Sequence, residues 1–362
     1  MRQPNAVDFW RGFALITIFI NHVPGLFYER FTHRNISLSD SADLFVFLAG
    51  WGLRYAVGRA DSEVPHKQVV MRVLGRAVTL YAAQAMIVLV AIAMLGATAR
   101  GLDNPLILEW INAAPIFYNP ADAHLGLAML SLQLGYFDIL PLYIVLMMMA
   151  PAMVLVHRSA PNWLLPISLA LYLLAIVLRI NLPTWPTRGQ WFFNPLCWQL
   201  VFVLGFTLAR ERGPGRIVRE HLHLIRLLAL PIILGCGVMM WFSLWPDPTK
   251  VPSPRLLFLV SKTYVTPLRL IQFLALVALF SAVYPFIVRH TGRVVGGLAL
   301  LGRNSLHVFC VGSLLSLLAQ IVRVSVGASI LLDTVIMLVG ISLLGFTAWL
   351  SEWRDRLGGK PA

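Results

Sequence analysis

Of 362 residues, 58% are hydrophobic and only 12% are charged. So little charge cannot cover a water-exposed surface on a chain of this length, which excludes an ordinary soluble domain and leaves a polytopic membrane protein. The net charge of +13 would suggest nucleic acid for a soluble chain; here it is the expected excess of Lys and Arg in cytoplasmic loops, and no nucleic acid partner is expected.

Apolar runs long enough to cross a bilayer fall roughly at 8–27, 41–59, 70–96, 133–157, 162–180, 194–210, 224–245, 266–288, 303–323 and 328–350. They predict an all-α fold of about 10 transmembrane helices forming one domain over 1–362, with a short polar tail at 351–362 and the lipid bilayer as first partner. The second run is the weakest, because Gly50, Gly52 and Arg54 interrupt it. Cations alternate between loops: Arg2, Arg54, Arg59, Lys67, Arg72, Arg76, Arg158, the arginines from Arg210 to Arg226 (Arg212 among them), Arg289, Arg293, Arg354, Arg356 and Lys360 fall on one side. The loop 101–132, on the other side, holds Asp103, Glu109 and Asp122 and no Lys or Arg. The positive-inside rule therefore places both termini in the cytoplasm. Asp8 and Arg11 break the apolar stretch that a cleavable signal would need, so the first helix is expected to stay. Cys197, Cys236 and Cys310 lie in apolar runs without ligand spacing, so neither a disulfide nor a metal is expected.

The opening run, DFWRGFALITIFINHV at Asp8–Val23, carries Arg11 and His22. Eleven positions on an α-helix amount to three turns plus about 20°, so the two side chains share one stripe, about 16 Å apart along the axis. Lipid cannot solvate a guanidinium or an imidazole, so that stripe needs protein or water beside it. Arg11 snorkelling to the interface, with His22 a satisfied polar residue, is the plainer alternative. In the next run, SADLFVFLAGWG, Asp43 lies on the same side as His22. A carboxylate there would orient the imidazole and strengthen it as a base; alternatively it serves the positive end of its own helix.

R-x10-H on a first span followed by DLFVFLAG resembles the acyltransferase family 3 membrane proteins, and Arg72 and Arg76 in MRVLGRAVTLY match the R-x3-R that family tends to carry. The blocks FDILPLY, WFFNPLCWQLVFVLG, TPLRLIQFLAL and LGRNSLHVF make the chain similar to the OpgC-type branch, the osmoregulated periplasmic glucan succinyltransferases. Two positions depart from the wider family: Ala49 stands where many members have Ser, and Gly312 where many have His.

The resemblance implies an acyl-CoA-dependent O-acyltransferase in a bacterial inner membrane, with acyl-CoA (succinyl-CoA) as co-substrate and a periplasmic glucan or other saccharide acceptor. His22 would then be the general base, with Asp43 and Arg11 beside it. Arg72, Arg76 and Arg11 would meet the donor's phosphates, although topology alone also puts arginines there. Acceptor contacts would come from Trp191, Asn194, Trp198 and Gln199, with Asp138 and Tyr143 at the outer start of a helix. Trp is also common at membrane interfaces, and Asn194-Pro195 is a good helix start. Arg269 would pair with the free carboxylate of a dicarboxylic acyl group, and Asn304 and Ser305 complete the substrate set. His307 reads as structural. A homo-oligomer is compatible with the sequence. The alternative from another class is a proton-coupled transporter or flippase, with Arg11, His22 and Asp43 as its relay.

Overall fold

The computed structural model describes residues 5–57, 64–210 and 213–358, and within them the chain is helical with no strand. Arg2, Arg59, Arg212 and Lys360, assigned to the cytoplasmic side above, lie outside the described residues.

The helices are α1 (Ala6–Asn21), α2 (Ser41–Val57), α3 (His66–Gly101), α4 (Ala114–Tyr118), α5 (Pro120–Ala128), α6 (Ile139–Ser159) and α7 (Leu164–Leu178). They continue with α8 (Pro195–Leu208), α9 (Pro214–Glu220), α10 (Leu222–Trp241), α11 (Pro267–His290), α12 (Gly292–Arg303), α13 (Ser305–Val326) and α14 (Ile330–Leu357). Each expected apolar run coincides with a helix. Six of them, α3, α6, α10, α11, α13 and α14, are long and apolar enough by themselves to cross a membrane. The others, α1, α2, α7 and α8, have 14 to 17 residues, or about 21–26 Å of rise, less than a ~30 Å hydrocarbon layer.

Of these, α1, α2 and α8 form the interior, while α7 is largely exposed. α1 packs on α12, α2 and α13, and α2 packs on α8. Between lipid-facing helices, hydrophobic burial supplies little drive, so backbones must come close enough for dispersion to act. Glycines allow this in pairs. A methyl on Gly50 would overlap the Phe202 carbonyl, and one on Gly205 would overlap that of Phe47, which locks α2 to α8. Gly12 and Gly302 do the same for α1 and α12, against Leu298 and Asp8. The glycines that weaken α2 as a sequence signal are therefore what bury it. At the periphery, only 11% of the apolar window of α10 and 17% of that of α14 is buried, so most of each faces outward, as a bilayer helix should.

Three elements depart from expectation. α12 fell in a segment read as loop, since its Gly292, Gly296, Gly297 and Gly302 depress helix propensity. The loop 101–132 folds into α4, α5 and a 3-10 turn at Pro105–Glu109. The polar tail expected from 351 instead continues α14 to Leu357, with Glu352 paired to Arg303 at 2.8 Å.

Charges gather at two ends of the bundle. At one, Arg54, Arg210 and Arg158 surround His157, and Arg354 and Arg76 act on His307. At the other, His22 lies among Lys262, Asp40 and Arg34.

Candidate functional site

α1 starts with Asn5 capping the Asp8 amide at 2.8 Å and ends at His22, its C-cap residue. Gln320 of α13 donates to the His22 carbonyl at 2.6 Å, and Thr32 donates to Asn21 at 2.9 Å, so the turn carrying the imidazole is tied from two sides. The His22 side chain borders a cavity of about 790 Å³, within the ~300–1,000 Å³ usual for small-molecule sites. Asp40, Asp138, Lys262 and Arg269 share its walls.

His22 Nδ1 is buried with no hydrogen-bond partner among the described residues. The ring packs against Tyr136, whose ring centre is 4.8 Å away at 46°. Tyr136 has φ 68°, a left-handed conformation that costs a bulky residue and persists only when its surroundings impose it. The sequence offered no signal for this contact beyond the neighbouring Gly135.

Asp43 does not orient His22. One of its oxygens accepts from Arg269 Nε at 3.2 Å and the other from Arg269 at 2.5 Å and the Asp40 amide at 2.9 Å. The pair is fully buried and joins α2 to α11, and Arg269 also donates to the Leu38 carbonyl. Arg269, although it borders the cavity, spends its guanidinium on protein, so its expected pairing with an acyl carboxylate is replaced by a fork-to-carboxylate clamp. Arg34, paired with Glu29 at 3.3 Å, also lines the cavity, as does Lys262, paired with Asp40 at 2.5 Å and lying over the rings of Phe192 and Phe193. Burial alone would raise the Asp40 carboxyl. The charges of Lys262 and Arg269, with hydrogen bonds from Lys262 and the Ala42 amide, outweigh that and hold it well below the usual carboxylate range.

Arg11 lies at a second, much smaller pocket of about 60 Å³ with Arg76, Ala49, Tyr143 and Ser305. Its guanidinium donates to the Leu48 carbonyl at 2.8 Å, stands 4.0 Å from Asp8, and crosses α2 where Gly52 leaves room. Arg72, one turn from Arg76, is exposed and lines neither space. Ala49, where the wider family often has Ser, is a wall of this pocket.

Phe309 of α13 borders both spaces and is 2% exposed. Its ring lies 6.2 Å from that of Phe45. Phe309 is thus a wall common to the Arg11 pocket and the His22 cavity, with Phe45 packed against it.

Several expected contacts are structural instead. Trp191 and Trp198 are 5% and 0% exposed and line neither space; the Trp198 indole donates to the Lys262 carbonyl at 3.1 Å. Asn194 caps α8 through the Leu196 amide at 3.0 Å and donates to the Ile180 carbonyl at 2.7 Å. Gln199 exchanges hydrogen bonds with Ser168 at 2.7 and 2.8 Å. Asn304 donates to the Leu300 carbonyl at 3.0 Å between α12 and α13. In each case a polar group buried in a helix bundle must be satisfied locally, and it takes the nearest partner.

Comparison with curated proteins and with solved structures finds no match. A family model described as OpgC protein matches residues 2–356, nearly the whole chain, and such membership points to a membrane acyltransferase. Because that match spans nearly the whole chain, the chain belongs to the OpgC protein family.

Proposed function

We propose that this protein is an acyl-CoA-dependent O-acyltransferase of the bacterial inner membrane, moving a succinyl group from cytosolic succinyl-CoA to a hydroxyl of a periplasmic glucan or similar saccharide. The observation that carries the reading is the pair of spaces meeting at Phe309, one holding Arg11 and Arg76, the other His22 and Asp138. A donor whose phosphates stay with Arg76 and Arg11 at the inner end would extend its thin arm past Phe309. Its thioester would arrive beside His22, about 16 Å along α1 from Arg11.

The neutral imidazole of His22 then takes the proton of the acceptor hydroxyl as that oxygen attacks the thioester carbonyl. The new C–O bond forms, the C–S bond breaks, and the leaving sulfur takes that proton back from the imidazolium, so coenzyme A departs as the thiol and His22 is neutral again. Tyr136 keeps the imidazole in place and does the orienting assigned above to Asp43. The Asp43–Arg269 clamp fixes α2 against α11 and so shapes the wall.

The test is reconstitution. Purified protein in liposomes, given labelled succinyl-CoA on one side and an oligoglucan on the other, should release coenzyme A and label the sugar. Movement of either substrate across the membrane without label transfer would favour the transporter.

A further inference from the structure

We propose that Trp110 and Trp245 form an aromatic rim that stacks on successive sugar rings of an oligosaccharide, an extended acceptor site outside the reacting hydroxyl; this deepens the saccharide-acceptor reading above and rests on it. Both indoles border the 790 Å³ cavity that also holds His22. They come from separate elements: Trp110 ends the 3-10 turn at Pro105–Glu109, and Trp245 follows α10. They are 38% and 50% exposed, so each presents a face to water.

The exposed aromatics of α10 do not all point the same way. Trp241 and Phe242, 81% and 66% exposed, border neither space and behave as interface aromatics should. Trp245, a turn further on, is turned into the cavity. The same cavity is lined by the amides of Asn112, Gln133 and Gln190 as well. Gln190 Oε1 accepts from the Tyr264 hydroxyl at 3.1 Å, and Gln133 Nε2 donates to the Leu130 carbonyl at 3.1 Å, so both side chains are held. A ligand with flat C–H faces and a girdle of hydroxyls satisfies such a wall: the faces cover indole, the hydroxyls meet amides. Sugars have that chemistry, and a cavity of this volume has room for more than one ring.

The chemistry thus comes from the ends of core helices and the recognition from peripheral segments. A rim of this kind should act on chain length, not on the reacting ring.

The test compares transfer to a linear glucose pentasaccharide and to methyl glucoside in Trp110→Ala and Trp245→Ala. KM for the pentasaccharide should rise about tenfold relative to KM for the glucoside in either variant, and Trp→Phe should restore most of it. A ratio equal to wild type in both alanine variants overturns the rim. Should the alanine variants fail to fold, the change in tryptophan fluorescence on titrating the pentasaccharide into wild type, Trp110→Phe and Trp245→Phe decides. A change lost in the Phe variants supports the rim, and one retained in both overturns it. A wild type that binds the pentasaccharide through these indoles but transfers nothing keeps the rim and sinks the acyltransferase reading.

Discussion

The outer cavity and the inner pocket are built from neighbouring parts of the same helices but differ in kind. The outer one is about 790 Å³ and lined by ionisable groups that are mostly matched: Arg269 with Asp43, Lys262 with Asp40. The inner one is about 60 Å³, with two guanidiniums among Phe45, Leu80, Leu140 and Phe309. At ~30 Å³ per water in the liquid, that space accepts little more than solvent as it stands. A ligand of several rings fits only the larger space, and a chain threading from the smaller space into it passes only if side chains give way. The difference teaches that the passage between the two spaces, more than the larger cavity, is the restrictive feature of this molecule.

The largest expected effect sets the two regions apart by chemistry. His22→Ala should lower acyl transfer by ~10²–10⁴-fold, the usual contribution of a general base, in coenzyme A release from proteoliposomes with an unchanged melting profile. Substantial remaining activity would remove His22 as base. Next comes the clamp behind the outer wall. Asp43→Asn leaves the Arg269 charge buried with half its partner and should cost about 3–5 kcal/mol of stability, read as a fall in Tm in detergent. The double change Asp43→Asn with Arg269→Gln should recover part of the loss; no recovery would mean that the two do not act as a pair.

The divide itself is tested at Phe309. Phe309→Trp should lower transfer about tenfold by filling the passage, while KM for the saccharide stays within twofold. An equal rise in saccharide KM would place Phe309 at the acceptor and not on the donor's path. Within the inner pocket, Arg76→Ala should raise KM for the donor roughly tenfold, the size of one charge-assisted hydrogen bond. Arg72→Ala, on the exposed face, should leave it near wild type. Equal effects would return both to topology.

The smallest effect is a pH dependence. Asp40 is held below its ordinary range in the folded protein, so it binds fewer protons there than in the unfolded chain. Its contribution is present above the ordinary carboxylate pKa of about 4 and is lost as pH falls through and below that value. Melting temperature between pH 6 and pH 3 should therefore drop less steeply in Asp40→Asn than in wild type. Because Lys262 keeps 29% of its side chain exposed, the difference is a modest one.

Much of the architecture was legible in the chain. Each apolar run marks a helix because a segment surrounded by lipid or by other apolar helices must satisfy its own backbone, and a helix does so within the segment. The stripe shared by Arg11 and His22 follows from helical periodicity alone, and each of the two borders a polar space. Asp138, Tyr143, Ser305 and Arg76 are likewise at those spaces. α12 was hidden by its glycines, since propensity counts a glycine as loss while packing uses it for closeness.

The partners of polar groups were not legible. Asp43 and Arg269 are 226 positions apart, and nothing local in DLFVFLAG tells whether its carboxylate faces an imidazole or a guanidinium. Trp191 and Trp198 read as sugar contacts because their residue type suits both a core and a binding face, and only burial separates the two. Composition and period alone thus determined a helical membrane protein with a charged first helix, because those depend on each segment's own contact with lipid, while the family likeness rests on particular residue blocks such as DLFVFLAG and WFFNPLCWQLVFVLG. Which side chains meet across the bundle, which face of an indole stays wet, and where Phe309 divides one space from the next were decided by the fold. Such pairings depend on the mutual placement of helices that are close in space and distant along the chain.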